Sequence, residues 1–213
     1  MLCGVDEAGR GPVIGPLVIA GVLASEDEIV DLIALGVKDS KKLSKERRSR
    51  LYRSIANEYQ CYSIQVGPLE LDELRRRGTS LNEIEAQKFA EVIDILKPRV
   101  AFIDAADVLP SNFQKAVQGK LRINTALVVE HKADERYPIV SAASIIAKVE
   151  RDNAIEGLCG EYGDIGSGYP SDPITQKFLE EWFHRHHEFP DFVRKSWKTL
   201  NVIRNSKISD FLE

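Results

Sequence analysis

Residues 13 to 22 read VIGPLVIAGV, an apolar and β-branched run too short to cross a bilayer, with nothing basic before it of the kind a signal peptide requires. Such a run is a buried strand. Just upstream stand two adjacent acids, Asp6 and Glu7, followed by Gly9-Arg10-Gly11-Pro12. The acids therefore fall near a strand end beside a tight glycine-rich turn. Desolvating two neighbouring carboxylates there is costly unless a cation or water offsets their charge. A chain that accepts this cost at the start of its core needs a reason for it.

Further short apolar runs extend the pattern. Arg99 to Ile103 (RVAFI) and Ala126 to Val129 (ALVV) are solidly apolar with polar flanks, as strands covered on both faces are, and Gln60 to Val66 alternates. Between them lie helical segments. Leu51 and Ile55 mark an amphipathic helix after Ser44, and Ser80-Leu81-Asn82-Glu83 is a capping box. Leu81, Ile84, Phe89, Val92 and Leu96 then form one apolar stripe that Pro98 ends. Ser141 to Leu158 is helical, GDIGSGYPSDP is a loop, and Thr175 to Glu213 reads as short helices that bury Trp182, Phe183 and Trp197. Strands alternating with helices predict an α/β fold, with one domain over 1–170 and a C-terminal helical extension and tail over 171–213.

The 213 residues are enough for one core, and the three cysteines, Cys3, Cys61 and Cys159, are widely spaced and odd in number. Neither a disulfide framework nor a zinc knuckle is expected, and a reducing, cytoplasmic setting is the default. The net charge of −4 argues against a globally basic nucleic-acid coat. Two stretches are nonetheless basic, Lys38 to Arg53 and Arg185 to Lys207. No membrane segment is expected.

The acids gather where strands end: Asp6 and Glu7 after the first, Asp104 after RVAFI, and Asp134 soon after ALVV. In an α/β sheet the carboxyl ends of parallel strands converge on one crevice, so these four can share a site. Mutually repelling carboxylates are stable there only around divalent cations. All-oxygen ligands without cysteine or clustered histidine suit Mg²⁺ or Mn²⁺. Two such ions, roughly 3.5–4 Å apart, would stabilise the attacking and leaving oxygens of a phosphoryl displacement.

DEAGRGPVIGP, KDSKKLS, FIDAAD, HKADERYPIVSAASIIAKVERD and GSGYPSDP, in that order, resemble the blocks of the ribonuclease HII family, especially its archaeal branch, from about residue 2 to about residue 200. The resemblance implies a ribonuclease H-like mixed five-stranded sheet flanked by helices, with a C-terminal helical extension. It implies metal-dependent cutting of the RNA strand of RNA/DNA hybrids, and cutting 5′ of a single ribonucleotide in duplex DNA. The products would carry 5′-phosphate and 3′-hydroxyl ends, and the biological roles would be ribonucleotide and primer removal. Carried over by position, Asp6, Glu7, Asp104 and Asp134 are the metal-binding catalytic carboxylates, with Asp6 bridging two ions. Gly9, Arg10 and Gly11 resemble the turn whose main chain meets the 2′-hydroxyl; glycine lets backbone approach a ribose closely. Tyr169 resembles the tyrosine that packs on the following sugar. Ser40, Lys41 or Lys42, and Asn82 correspond to backbone contacts.

Rival readings keep their place beside this one. Asp107, Glu130 and Glu135 are further acids near the expected site. His184, His186 and His187 lack partners at zinc spacing, His131 stands near Asp134, and Trp182 and Trp197 suit a core. A sister family, ribonuclease HIII, carries an extra N-terminal domain, whereas the first strand here follows Met1. A non-catalytic hybrid-binding module, or another nuclease of the same fold, is the alternative function. The tail places Asn205, Ile208, Phe211 and Leu212 at the spacing of a sliding-clamp docking motif, with Asn205 where glutamine is usual and Leu212 where a second aromatic is usual. It would plug a hydrophobic pocket of the clamp, or else pack back on the C-terminal helices. A monomer is expected otherwise.

Overall fold

Gly4 sits in the middle of the first strand, β1 (Leu2–Ala8), where a β-carbon would stand 2.2 Å from the carbonyl oxygen of Ile139 and 2.5 Å from the nitrogen of Val140. Only a residue without a side chain allows that approach. It seats the beginning of the long helix α7 (Pro138–Tyr162) directly on β1. On the other face, Gly21 of β2 (Leu17–Ala24) makes the same concession to α4 (Leu81–Leu96), since its β-carbon would lie 2.5 Å from Val92 and 2.7 Å from Leu96. Helices therefore cover both faces of the sheet. The remaining strands are β3 (Gln60–Val66), β4 (Val100–Asp104) and β5 (Ala126–Glu130), and the order across the sheet is β3-β2-β1-β4-β5. β1 runs antiparallel to β2 and parallel to β4, which runs parallel to β5. This is the mixed five-stranded sheet that the family resemblance implies.

This computed structural model describes residues 1–37, 43–105, 107–201 and 203. The helices not yet introduced are α1 (Glu28–Leu35), α2 (Lys45–Glu58), α3 (Pro68–Arg76), α5 (Pro110–Gln118), α6 (Ala133–Arg136) and α8 (Pro173–His186). The Ser80 capping box forms as expected, with Glu83 N donating to Ser80 Oγ and Ser80 N to Glu83 Oε2. Ile84, Phe89, Val92 and Leu96 are buried, while Leu81 is half-buried. Among the described residues, no helix is long and apolar enough to cross a membrane.

The chain divides into two compact units. The first comprises residues 1–8, 18–65 and 80–150; the second comprises 9–17, 66–79 and 151–213. Residues 170 and 171 both lie in the second. The first unit contains an apolar core in which Val18, Ala20 and Val22 of β2 meet Ile139, Ala143 and Ile146 of α7. The second has its own core of Val13, Ile14, Ile155, Ile165, Leu179, Phe189, Val193 and Leu200. Two sequence expectations shift here. The strand expected over 13–22 begins only at Leu17, because Gly15 takes a left-handed conformation (φ +86°) and Pro16 has no amide to donate. Ile14 instead forms a lone bridge with Val193. Asp6 and Glu7 lie inside β1 rather than beyond it, since pairing with β2 continues to Ala8.

Candidate active site

The register of the sheet explains how distant acids meet. Val5 pairs with Ile103 across the parallel β1–β4 ladder, so the next residues, Asp6 and Asp104, stand at one level on adjacent strands. The third acid needs a turn. After β5, Lys132 adopts a left-handed conformation (φ 57°) and starts the single-turn helix α6, which carries Asp134. The amide of Ala133 donates to Asp104 Oδ1 at 3.4 Å, tying that turn to the end of β4. As a result, one oxygen from each of Asp6, Asp104 and Asp134 lies within 4.8 Å of the other two.

The group is poorly solvated. Asp6 is 6% and Asp134 4% exposed, and Asp104 is half-buried. Burial first, and then the neighbouring charge of Asp104, push the Asp6 carboxyl up to about 7. The hydroxyl of Ser144, the ammonium of Lys148 and the amide of Glu7 act in the opposite direction. Glu7 N donates to Asp6 Oδ1 at 2.8 Å, and Lys148 Nζ donates to Ser144 Oγ at 2.8 Å. Ser144 and Lys148 are one turn apart on α7, at the i,i+4 spacing that aligns side chains on one face. Three hard oxygen donors, held together against their own repulsion, fit a divalent cation such as Mg²⁺ or Mn²⁺.

Glu7 stands outside this group of three. It is the next residue along β1, and its carboxylate is not among the three whose oxygens converge. Asn82, in the first turn of α4, donates to Asp107 Oδ2 at 2.7 Å, and Asp107 Oδ1 accepts from Leu109 N. Asp107 thus holds the loop after β4 and is not in the cluster. Glu130 accepts from Arg136 and from the Tyr137 hydroxyl. His131 is exposed with Nε2 3.0 Å from the carbonyl of Val108, and His184, His186 and His187 are exposed. Ser40, Lys41, Lys42, Asn205, Ile208, Phe211 and Leu212 lie outside the described residues. Cys3, Cys61 and Cys159 are free thiols, and burial raises the pKa of Cys3 and pushes that of Cys61 up to about 11.

The second unit builds the glycine-rich turn. Gly9 is left-handed (φ +85°), and a β-carbon there would lie 2.5 Å from the carbonyl oxygen of Pro16. Both Val13 N and Ile14 N donate to the carbonyl of Gly168, which clamps this segment to the loop carrying Tyr169. Gly11 is exposed, and its missing β-carbon would touch the Tyr169 ring at 3.6 Å. The tyrosine is 41% exposed and rests on the guanidinium of Arg151, 5.1 Å from the ring centroid. Arg151 also donates to the carbonyl of Ser167. Asp172 accepts from Ser167 N, Ser167 Oγ and Ile174 N, closing the same loop, and the Ser167 hydroxyl is the leading cause of its lowered pKa. Sequence reasoning missed Ser144, Lys148, Arg151 and Arg194. The spacing of the first three within SAASIIAKVERD was the available signal.

Comparison with known proteins decides the family. The model of the family described as ribonuclease HII matches residues 3–200. The chain belongs to the ribonuclease HII family. It is 51% identical over 205 residues to the ribonuclease HII of Thermococcus onnurineus, covering 95% of this chain and 89% of that protein. Its fold is similar to the ribonuclease H2 of Pyrococcus horikoshii OT3, with a TM-score of 0.90 and 45% identity over 96% of this chain and 97% of that one. It is also similar to a chain in the structure of the PCNA:RNase HII complex from Archaeoglobus fulgidus, with a TM-score of 0.86 and 47% identity over 93% and 95%. Family membership makes the chain a ribonuclease H, a metal-dependent endonuclease of RNA/DNA hybrids.

Proposed function

We propose that the enzyme hydrolyses the RNA strand of hybrids and cuts on the 5′ side of single ribonucleotides in duplex DNA, using two divalent ions, Mg²⁺ or Mn²⁺. The observation that carries this reading is the convergence of Asp6, Asp104 and Asp134 from three separate stretches of sequence. These residues would hold the ions, with Glu7 added as a fourth carboxylate from the sequence resemblance. Bound ions supply stabilisation of charge on the phosphate oxygens and a more acidic water. Ser144 and Lys148 favour the ionised form of Asp6 that such binding requires. The Gly9-Arg10-Gly11 main chain meets the 2′-hydroxyl, and Tyr169 packs on the following sugar. Asn82, with Ser40 and Lys41 or Lys42, contacts the phosphate backbone. The likeness to a chain solved in a PCNA complex supports a further element, docking of the tail through Asn205, Ile208, Phe211 and Leu212 on a sliding clamp.

The test is cleavage of a DNA duplex containing one ribonucleotide, mapped to the bond, with an all-DNA duplex as control. A cut on the 5′ side in Mg²⁺ or Mn²⁺, none in chelator and an intact control are expected. Equal cutting of the control, or no cutting in either metal, overturns the proposal. Asp104→Asn should lose turnover while still binding hybrid, because phosphate contacts outlast the lost ligand.

A further inference from the structure

Arg194 is fully buried, and it spends its guanidinium on backbone. Nε donates to the carbonyl of Gly15 at 2.9 Å, Nη1 to that of Arg10 at 3.2 Å, and Nη2 to that of Gly9 at 2.6 Å. Its own amide donates to the carbonyl of Val13 at 2.9 Å, and Trp197 backs the guanidinium with its ring centroid 4.9 Å away. Two carbonyls of the Gly9-Arg10-Gly11 turn and that of Gly15 thus converge on one rigid fork. We infer that Arg194 is a positioning residue for ribose recognition, holding the Gly9-Arg10-Gly11 turn in the one conformation that presents its amides to the sugar.

Among the described residues every peptide bond is trans. In a trans peptide the carbonyl and the following N–H point to opposite sides. With the carbonyls of Gly9 and Arg10 both aimed at Arg194, the amides of Arg10 and Gly11 face away from it. Two successive amides turned the same way form a concave donor site suited to an oxygen. Gly9 lacks the side chain that would hold its left-handed conformation against alternatives, so the turn needs an external clamp. A lysine could not replace it, because a single ammonium lacks the planar fork that reaches three acceptors at once.

This inference rests on the proposed role of the turn, and the experiment separates the two. For wild type, R194K and G9A, kcat/KM on a single-ribonucleotide duplex is compared with the inhibition constant of the matched all-DNA duplex as competitor. R194K should lose at least tenfold in kcat/KM while the DNA inhibition constant changes less than twofold, and G9A should do the same. A merely structural arginine would move both quantities together or neither. If G9A collapses the preference and R194K keeps it, the positioning role is wrong and the turn still reads the sugar. If G9A keeps the preference, the role of the turn fails and the inference with it. Should R194K not fold, as judged by circular dichroism, W197L takes its place. It removes the backing of the guanidinium and should lower the preference at least threefold; an unchanged preference in W197L overturns the inference.

Discussion

Asp6 carries the sharpest conflict between folding and function. Its carboxyl sits near its ordinary value in the unfolded chain and at about 7 in the fold, chiefly through burial. Below about pH 4 both states hold the proton and nothing is lost. From there to about pH 7 the unfolded chain ionises while the fold retains its proton, so stability falls by a few kcal/mol, at about 1.4 kcal/mol per pKa unit. Thermal melts in chelator should therefore show a decline over this window that Asp6→Asn lacks. Added Mg²⁺ should restore wild type above pH 7 and leave the Asn variant unmoved. A parallel decline in both proteins would place the titration elsewhere. Tyr169 poses a question of selectivity instead. Tyr169→Ala should lower cleavage at a single ribonucleotide about tenfold, equivalent to ~1.4 kcal/mol, and cleavage inside a long RNA tract much less. Equal losses on both substrates would make it a packing residue. The convergence of Asp6, Asp104 and Asp134 was legible because acids placed where short apolar runs end point to one crevice, whereas Tyr169 was named only through the family resemblance. Arg194 was not, because an arginine in RKSW reads as one more solvated charge, and only the fold reveals that its guanidinium faces three carbonyls.

At the scale of elements, the two glycines that seat the helices differ in what opposes them. A methyl at Gly4 would meet the backbone of Ile139 and Val140, whereas at Gly21 it would meet the ends of Val92 and Leu96 and, at 3.5 Å, the sulfur of Cys3. Side chains rotate away and main chain does not. Gly4→Ala should therefore cost more than the roughly 1–3 kcal/mol typical of overpacking, and Gly21→Ala should fall within that range, as read from denaturant midpoints. Gly4→Ala should also lower activity in what remains folded, since α7 carries Ser144 and Lys148 to Asp6; full activity there would dissociate helix seating from the site. The strand and helix pattern was largely legible from periodicity. The start of β2 was not, because VIGPLVIAGV is apolar throughout and hydrophobicity alone cannot say where Gly15 and Pro16 divert the chain from the sheet. Nor could periodicity say that β1 extends past both acids, which depends on its pairing with β2.

At the scale of the whole molecule, the clamp proposal and the nuclease proposal can be separated. A version ending after Arg204 should cut naked oligonucleotides at the wild-type rate and lose measurable affinity for the Archaeoglobus fulgidus PCNA in titration calorimetry. Undiminished affinity would remove the tail from the docking surface. The bond from Arg194 to Gly15 spans 179 residues, and those to Arg10 and Gly9 span 184 and 185. At roughly 5–20 residues per second, a ribosome that has just built the glycine-rich turn needs about 10–40 s more to supply the arginine that clamps it. Residues 9–17 are thus translated well before the side chain that fixes them. A nascent enzyme paused short of Arg194 can already contain all three clustered carboxylates, yet it lacks the clamp on the turn, so discrimination by the sugar should arrive only once Arg194 has been added.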